Sequence, residues 1–398
     1  MSDCDPENFV NRDKEIGFVL KMVSDLAKGK PFAPRERVFH FVGPSGIGKS
    51  CLLKKIYWEL TRKHQECAPL LVKLDTFIGL GVIDGLLVTV YESFCEHIKI
   101  KPKESKGQAR KTIAGWIQKK LKECGNEQIV ILLLDEVNVP SQKEMREIEE
   151  HFLVKFIHGN DRAILITAGR SRPPMFDDFA LRPKPSITFR LSVFDEEKTS
   201  QQIEHLKPGA GKLAGKVVKL GSGVPGNTVK LVEHIAGDPL DIPDEAQVIR
   251  SMLDDIKKTN NIEERYYQML EAISVLQGFF PEDVAPLFQS HPQLSDGWDE
   301  GRVKEIFLEL SRIQIGPGGL VDWDREKKHW AMDESTRDLF ERELLMRNSE
   351  LWKKLHCTAF AKYEEWGQKY NSDLFRNKSN YHQQRLHSAE LNCSDQEG

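Results

Sequence analysis

The segment GPSGIGKS, residues 43–50, constrains the fold of this chain more than any other feature of the sequence. It fits the pattern G-x-x-x-x-G-K-[ST] at every fixed position, and it lies between an apolar run, RVFHFV, and a segment with helical spacing, CLLKKIYWELTRKH. In this pattern the backbone N–H groups of a glycine-rich loop surround phosphate oxygens, and the positive end of the next helix points at the same oxygens. The segment therefore predicts a strand, a phosphate-binding loop (P-loop) and a helix, in that order.

Each residue of this loop has an expected part in holding a nucleotide. Glycines keep a Cβ away from the phosphates, the Lys49 ammonium can reach the β- and γ-phosphates, and the Ser50 hydroxyl can hold Mg²⁺. We predict ATP or ADP with Mg²⁺ as the bound ligands, although the loop does not by itself distinguish ATP from GTP. The candidate nucleotide-binding residues are Gly43, Pro44, Ser45, Gly46, Ile47, Gly48, Lys49, Ser50 and Cys51.

A second apolar run, QIVILLLDEV at 128–137, predicts a central parallel strand that ends in two acids. The P-loop needs an acid at the tip of a neighbouring strand, and Asp135 can bind Mg²⁺ through water. Glu136 can orient and deprotonate an attacking water, and an acid beside the metal ligand favours hydrolysis over simple retention of the nucleotide. The alternative is that both acids only close the strand.

The strand RAILITAGR, residues 162–170, supplies a third polar element. Thr167 and Arg170 lie at the end of this strand. If the strand runs beside the one that ends in Asp135, it would bring polar groups to the γ-phosphate. An arginine there can distinguish a triphosphate from a diphosphate by charge-assisted contact. The candidate catalytic residues are therefore Glu136, Lys49 and Arg170, and the alternative for Arg170 is an ordinary surface arginine.

Strands alternate with helices as far as residue 195, which predicts an α/β fold with a doubly wound parallel sheet. After residue 195 the pattern is helical, until a hairpin at 316–332 with Asp324 and Arg325 in its turn. Helices followed by a hairpin are the outline of a winged helix. We predict a P-loop core at 1–195, a helical lid at 196–245, a winged-helix domain at 246–346 and a C-terminal helical segment at 347–398.

Composition excludes several other classes of protein. No stretch approaches the ~20 apolar residues that cross a bilayer, and the acidic N-terminus lacks the plan of a secretory signal. The seven cysteines form no CxxC pair, which argues against a zinc site or a disulfide framework and for a reducing compartment. A net charge of −4 gives no general attraction to nucleic acid. We expect a cytoplasmic protein.

The P-loop, the acidic pair and LITAGR, followed by helices and a hairpin, resemble the STAND class of AAA+-related signal-transducing ATPases. That class includes the NACHT and NB-ARC proteins of innate immunity. NFVNRDKEI, residues 8–16, is similar to the family's F-[VI]-G-R-[DE]-x-E box, with Asn11 in place of the usual glycine. The resemblance implies that Val10 and Arg12 border the adenine.

Two later segments carry the same resemblance. GVPGNTVKLVEHI is similar to the GxP module of the family's helical lid, which implies that Pro225 contacts the nucleotide. WAMDESTRDLF is similar to the family's MHDLxRDL segment, whose histidine reads the β-phosphate of ADP. Asp333 stands at the histidine position here, and whether His329 takes over that part stays open.

The resemblance implies a nucleotide-dependent switch that binds ATP, hydrolyses it slowly and controls assembly with partner chains. Those partners would be effector or sensor proteins supplied in trans, or further copies of this chain. One alternative is an initiator of the origin-recognition kind, which binds DNA through the winged helix. The charge of residues 302–343 disfavours DNA binding, because this segment contains eight Lys and Arg but ten Asp and Glu. A second alternative is a nucleotide-bound scaffold that does not hydrolyse ATP.

Overall fold

Five parallel strands form the sheet of the first part of the chain in a computed structural model. The strands are β1 Val38–Val42, β2 Cys67–Lys73, β3 Ile129–Asp135, β4 Ala163–Gly169 and β5 Thr188–Arg190. Their order across the sheet is β2-β3-β4-β1-β5. This arrangement confirms the predicted doubly wound sheet, with one correction. The acid strand β3 is not a direct neighbour of the P-loop strand β1, because β4 lies between them.

Two compact units make up the structure, Met1–Pro208 and Gly209–Gly398, and each is described by itself. The structure describes residues 6–7, 9–44, 46–77, 81–99, 101–103, 110–124, 128–169, 176–182, 184–236, 242, 245–259, 262–294, 305, 320–324 and 328–389.

Helices cover both faces of the sheet in the first unit. One face packs on α1 and α2, and the other packs on α3 to α6. Alternate residues of β3 face opposite cores, with Ile131 in the first and Leu132 in the second, which explains why the sequence of this strand is continuously apolar. The helices are α1 Asp13–Ala27, α2 Lys49–Lys63, α3 Val82–His97, α4 Arg110–Cys124, α5 Gln142–Ile148, a π-helical turn Glu149–Leu153, α6 Val154–His158 and α7 Glu196–Leu206.

The buried face of α2 is formed by aliphatic side chains, and an aromatic residue lies at its edge. Leucines and an isoleucine at 52, 53, 56 and 60 are fully buried, but Tyr57 is 38% exposed. Each step along a helix turns the side chain by about 100°. Tyr57 therefore falls at the edge of the apolar face that Ile56 occupies, which leaves part of its ring in solvent.

The second unit contains helices and an antiparallel hairpin, as predicted for this part of the chain. Phe279 exchanges two backbone hydrogen bonds with Trp330, at 2.8 and 2.9 Å, which attaches the hairpin to the connection between α11 and α12. The elements are α8 Ala214–Gly221, α9 Pro225–Glu233, α10 Glu245–Thr259, α11 Glu264–Ile273, α12 Pro281–Ser290, β6 Val321–Asp324, β7 His329–Met332, α13 Glu334–Arg347, α14 Ser349–Lys369 and α15 Asp373–Ser388.

The hairpin turn differs slightly from the prediction. Asp324, expected in the turn, is the last residue of β6 and pairs with His329, whereas Arg325 lies outside the described residues. The boundaries of the lid, the winged helix and the C-terminal segment stay predictions.

The cysteines and the membrane prediction can be compared with the structure directly. Cys51, Cys67 and Cys95 form no disulfide, but Cys357 on α14 is disulfide-bonded. The scattered spacing of the cysteines did not predict this bond. Within the part of the chain that the structure describes, no helix has the length and apolar character needed to span a bilayer.

A buried arginine, Arg37, holds the start of β1 in place. The Arg37 guanidinium is fully buried and donates to the carbonyl oxygens of Asn160 and Ala163, both at 2.7 Å, and of Ile157 at 3.0 Å. These acceptors lie at the end of α6, in the connection that follows it and at the start of β4. Arg37 therefore joins the P-loop strand to its neighbour at the end of the sheet opposite the P-loop.

We expect Arg37→Leu to lower the free energy of unfolding by about 3 kcal/mol, because it leaves three buried carbonyl groups without their charged donor. Urea denaturation of the purified chain measures this. Arg146→Leu is the matched control, since Arg146 is 52% exposed and pairs with Asp177 at 3.4 Å on the surface. Its expected loss is under about 1 kcal/mol. Equal losses of unfolding free energy in the two variants would show that the buried hydrogen bonds of Arg37 do not stabilise the fold more than a surface ion pair does.

Candidate nucleotide site

The loop after β1 has the backbone of a phosphate cradle. Gly46 and Gly48 have φ values of 76° and 97°, in the left-handed region that glycine adopts without strain. A Cβ on Gly43 would lie 2.8 Å from Ile47 Cγ2, so this position has no room for a side chain. Ser45 lies outside the described residues. The remaining loop residues lead into the N-terminus of α2, where backbone N–H groups favour an anion.

Lys49, the first residue of α2, lies inside this loop. Its side chain curls back, and Nζ donates to the carbonyl oxygens of Gly43 and Pro44, both at 2.8 Å. The residue is 6% exposed. A buried ammonium needs hydrogen-bond partners, and the loop supplies them from its own backbone. The ammonium is thereby held beside the loop that would surround the phosphates.

The predicted metal ligands are already in contact. The Ser50 hydroxyl in the first turn of α2 is hydrogen-bonded to the carboxyl group of Asp135 at the end of β3. Asp135 is 4% exposed, and burial raises its pKa, as does the neighbouring Glu136; the Ser50 hydrogen bond and the Lys49 charge oppose this. A hydroxyl and a buried carboxylate side by side are oxygen ligands suited to Mg²⁺. These residues therefore fit the predicted ion.

Glu136, the first residue after β3, has a left-handed backbone conformation. Its φ is 56°, and its N–H donates to Asp135 Oδ1 at 3.0 Å. The next residue, Val137, donates its N–H to the Ala168 carbonyl oxygen at 3.1 Å, so the turn after the acids runs over the end of β4. Glu136 Oε2 is buried and accepts no hydrogen bond from the residues that the structure describes. The carboxylate is thus available to a substrate or a water.

Lys73 is a charged residue of the site that the sequence did not reveal. It is the last residue of β2 and pairs in register with Asp135. Its Nζ donates to Asp75 Oδ2 at 2.6 Å, and this bond raises the pKa of Lys73, with smaller contributions from the charges of Asp135 and Glu136. The only signal in the sequence was its place at the end of an apolar strand, and the strand order was needed to read it.

The third predicted element is only partly described. Arg170 lies outside the described residues, so its contact with a γ-phosphate stays a prediction. Thr167 is buried, and its hydroxyl donates to the Phe39 carbonyl oxygen at 3.2 Å and lies 2.6 Å from His40 Nδ1. That hydroxyl joins β4 to β1 within the sheet.

The N-terminal box lies against the P-loop. The Arg12 guanidinium donates to the carbonyl oxygens of Ile47, at 3.2 Å, and of Ser192, at 2.6 Å, and burial lowers its pKa. It also lies 4.9 Å from the centroid of the Phe194 ring. Asn11 has a φ of 66°, in the left-handed region that asparagine adopts more readily than most residues other than glycine. Val10 is half-buried beside it.

Three candidates belong to the second unit, and their contacts with a nucleotide stay predictions. Pro225 is the buried first residue of α9. Asp333 is the N-cap of α13, and its Oδ1 accepts hydrogen bonds from the Thr336 N–H at 3.1 Å and the Ser335 hydroxyl at 2.6 Å. Capping is a sufficient physical reason for an aspartate at this position. His329 begins β7, against Gly278.

Comparison with known proteins places the fold. No protein-family model and no curated protein matches the chain. A solved structure of the Walker-type ATPase of Pyrococcus abyssi is similar to this chain, with a TM-score of 0.54 and 15% sequence identity over 85% of this chain and 97% of that chain.

Two further structures are similar at lower scores. The ORC1 protein of Aeropyrum pernix, solved in complex with DNA, has a TM-score of 0.49 and 11% identity, over 86% of this chain and 95% of that chain. A STAND protein with a tetratricopeptide repeat sensor from Pyrococcus horikoshii has a TM-score of 0.33 and 13% identity, over 96% of this chain and 48% of that chain.

The chain has the fold of P-loop ATPases, with a glycine loop at the end of β1 and an acidic pair at the end of β3. At these identities the similarity shows the fold alone, and the activity is a matter for proposal.

We expect Asp135→Asn to raise the melting temperature at neutral pH while weakening the Mg²⁺-dependent binding of ATP. Burial raises the pKa of Asp135, so the folded state binds a proton more tightly than the unfolded state. The buried carboxylate charge therefore destabilises the folded state fully above the folded-state pKa and not at all at low pH. The neutral amide of Asn carries no such charge. Thermal denaturation and calorimetric titration with ATP and Mg²⁺ measure the two effects.

The same pKa shift predicts how Mg²⁺ binding depends on pH. As the pH falls through the raised pKa, a proton displaces the metal from Asp135, and the gain in ATP affinity that Mg²⁺ brings should decline. Asp135→Asn is the control, because it keeps the titration of ATP itself. Identical pH profiles in the two proteins would show that Asp135 is not a ligand.

Proposed function

We propose that this chain is an ATPase of the AAA+-related STAND kind that acts as a nucleotide-dependent switch and hydrolyses ATP slowly. The observation that supports this most is the contact between Ser50 and Asp135, close enough to Lys49 and Glu136 for their charges to act on Asp135. One edge of the sheet would thus carry the Lys49 ammonium for the phosphates and a hydroxyl and a carboxylate, those of Ser50 and Asp135, for Mg²⁺. It also carries the Glu136 carboxylate, which could bind an attacking water.

Binding would begin with an exchange of partners at Lys49. In the structure its ammonium is hydrogen-bonded to two carbonyl oxygens of the loop. Phosphate oxygens would replace these neutral acceptors with charged ones, which form shorter and stronger hydrogen bonds. The N–H groups of the loop and of α2 would bind further oxygens, and Ser50 and Asp135 would hold Mg²⁺, which neutralises charge on the phosphates.

Hydrolysis would use Glu136 as the base. Its carboxylate would accept a proton from a water whose oxygen attacks the γ-phosphorus, and the bond from that phosphorus to the bridging oxygen of ADP would break. We place Arg170 against the γ-phosphate, as its sequence position predicts. Electrostatic stabilisation by Lys49 and Arg170 would supply much of the acceleration.

The switch would lie in the second unit. Pro225 would contact the nucleotide, and the helices and the hairpin would move between the ATP and ADP states. The surface so exposed or buried would bind other protein chains, or further copies of this one, in the cytoplasm. The charge balance of residues 302–343 supports protein partners over DNA.

Light scattering with ADP, ATP and a slowly hydrolysed ATP analogue tests the proposal. We expect a triphosphate-dependent change in mass that persists in Glu136→Gln, whose ATPase rate should fall by about 10² or more because the amide cannot accept the proton. Lys14→Gln is a control on the exposed face of α1, and it should behave like the wild type.

Each other outcome selects a different function. No nucleotide response, together with a salt-sensitive complex on mixed-sequence DNA, would favour an initiator-like protein. A nucleotide-dependent mass with no ATPase activity in the wild type, and no effect of Glu136→Gln, would favour the non-hydrolysing scaffold.

A further inference from the structure

Gly169, the last residue of β4, touches both halves of the nucleotide site. Its carbonyl oxygen accepts a hydrogen bond from the N–H of Gly43, at 3.3 Å, where the P-loop begins. On its other side, a Cβ placed on Gly169 would lie 3.0 Å from Val137 Cγ2 and 3.4 Å from Asn138 Oδ1. The turn that follows the two acids therefore packs directly on the backbone of this glycine.

The turn that packs on Gly169 also sets the direction of Glu136. The Val137 N–H is bonded to the Ala168 carbonyl oxygen at 3.1 Å, and the Val139 N–H to the Glu136 carbonyl oxygen at 3.0 Å. These bonds hold the chain on both sides of Glu136, whose φ of 56° is rare outside glycine and needs support from its surroundings. The position of the Glu136 carboxylate thus depends on how closely Val137 approaches β4.

Backbone conformation does not explain the glycine at 169. Its φ lies outside the left-handed region, and the residue pairs in register with Val42 as any strand residue can. An alanine would fit the backbone but would meet Val137 at a distance that real Cβ atoms rarely show. The turn that follows Asp135 and Glu136 occupies the space that a side chain at position 169 would need.

We propose that Gly169 is a positioning residue for hydrolysis: because it has no side chain, the Glu136 turn can lie close enough to the P-loop for its carboxylate to reach the attacking water. The inference rests on the proposed function, since it concerns the reaction that Glu136 would carry out. A Cβ at 169 would require Val137 to move by a few tenths of an ångström, whereas the Gly169 carbonyl group that accepts the hydrogen bond from Gly43 stays chemically the same.

The experiment is a double-mutant cycle between Gly169→Ala and Val137→Ala. Gly169→Ala should lower kcat by about tenfold to a hundredfold, since small misplacements of a catalytic group have effects of this size, while ATP affinity and melting temperature change little. Val137→Ala removes the contacting methyl groups, and the double variant should recover most of the lost rate. Gly115→Ala is the control, because a Cβ there meets no atom within 4 Å.

Three results would overturn the inference. Gly169→Ala could hydrolyse ATP at the wild-type rate, it could lose the rate without recovery in the double variant, or it could lose ATP affinity as much as rate. If Gly169→Ala does not fold, the double variant decides: recovered folding and rate support the contact, and their absence contradicts it. A wild type without ATPase activity removes the proposed function and this inference together, whereas an active wild type with an unaffected Gly169→Ala removes the inference alone.

Discussion

The hydrogen bond between Ser50 and Asp135 is the contact on which the account of this site depends. It joins the first turn of α2 to the end of β3, two segments that lie far apart in the sequence. The contact exists because the sheet brings β1, β4 and β3 side by side, so that three strand ends meet at one edge. Without that order, the P-loop and the acidic pair would be two motifs with no common site.

Charge burial explains much of the local structure at this edge. Lys49 and Asp135 are both buried, and each has a partner that offsets part of the cost: carbonyl oxygens for the ammonium, a hydroxyl for the carboxyl group. The raised pKa of Asp135 shows that its compensation is incomplete. Functional sites commonly retain such a cost, because a ligand that supplies the missing charge then binds with a free-energy gain.

The fold could be predicted largely from the sequence, because its signals are local. The continuous apolar strand before the acids requires burial on both faces, and the glycines of the loop require special backbone angles. Tyr57 shows the limit of this reasoning: helical periodicity finds an apolar face, but it does not fix where the edge of that face lies. The disulfide at Cys357 has no local signal at all.

The site could be predicted less completely, because it depends on contacts between distant segments. Glu136 was found from its neighbour Asp135, but its left-handed backbone was not predictable. Lys73 and Gly169 were missed for the same reason, since each acts through a neighbouring strand and the strand order is a property of the whole sheet. Asp333 was compared with a family histidine, whereas its local hydrogen bonds are those of a helix cap.

Calorimetric titration of the wild type and of Lys49→Ala with ATP, in the presence and absence of Mg²⁺, tests the central claim most directly. We expect that the wild type binds ATP, that Mg²⁺ strengthens the binding, and that loss of the Lys49 ammonium weakens it by about tenfold or more, the scale of a charged hydrogen bond. Equal affinities in the two proteins, or binding that is indifferent to Mg²⁺, would contradict the assignment of this loop and acid pair as a nucleotide site.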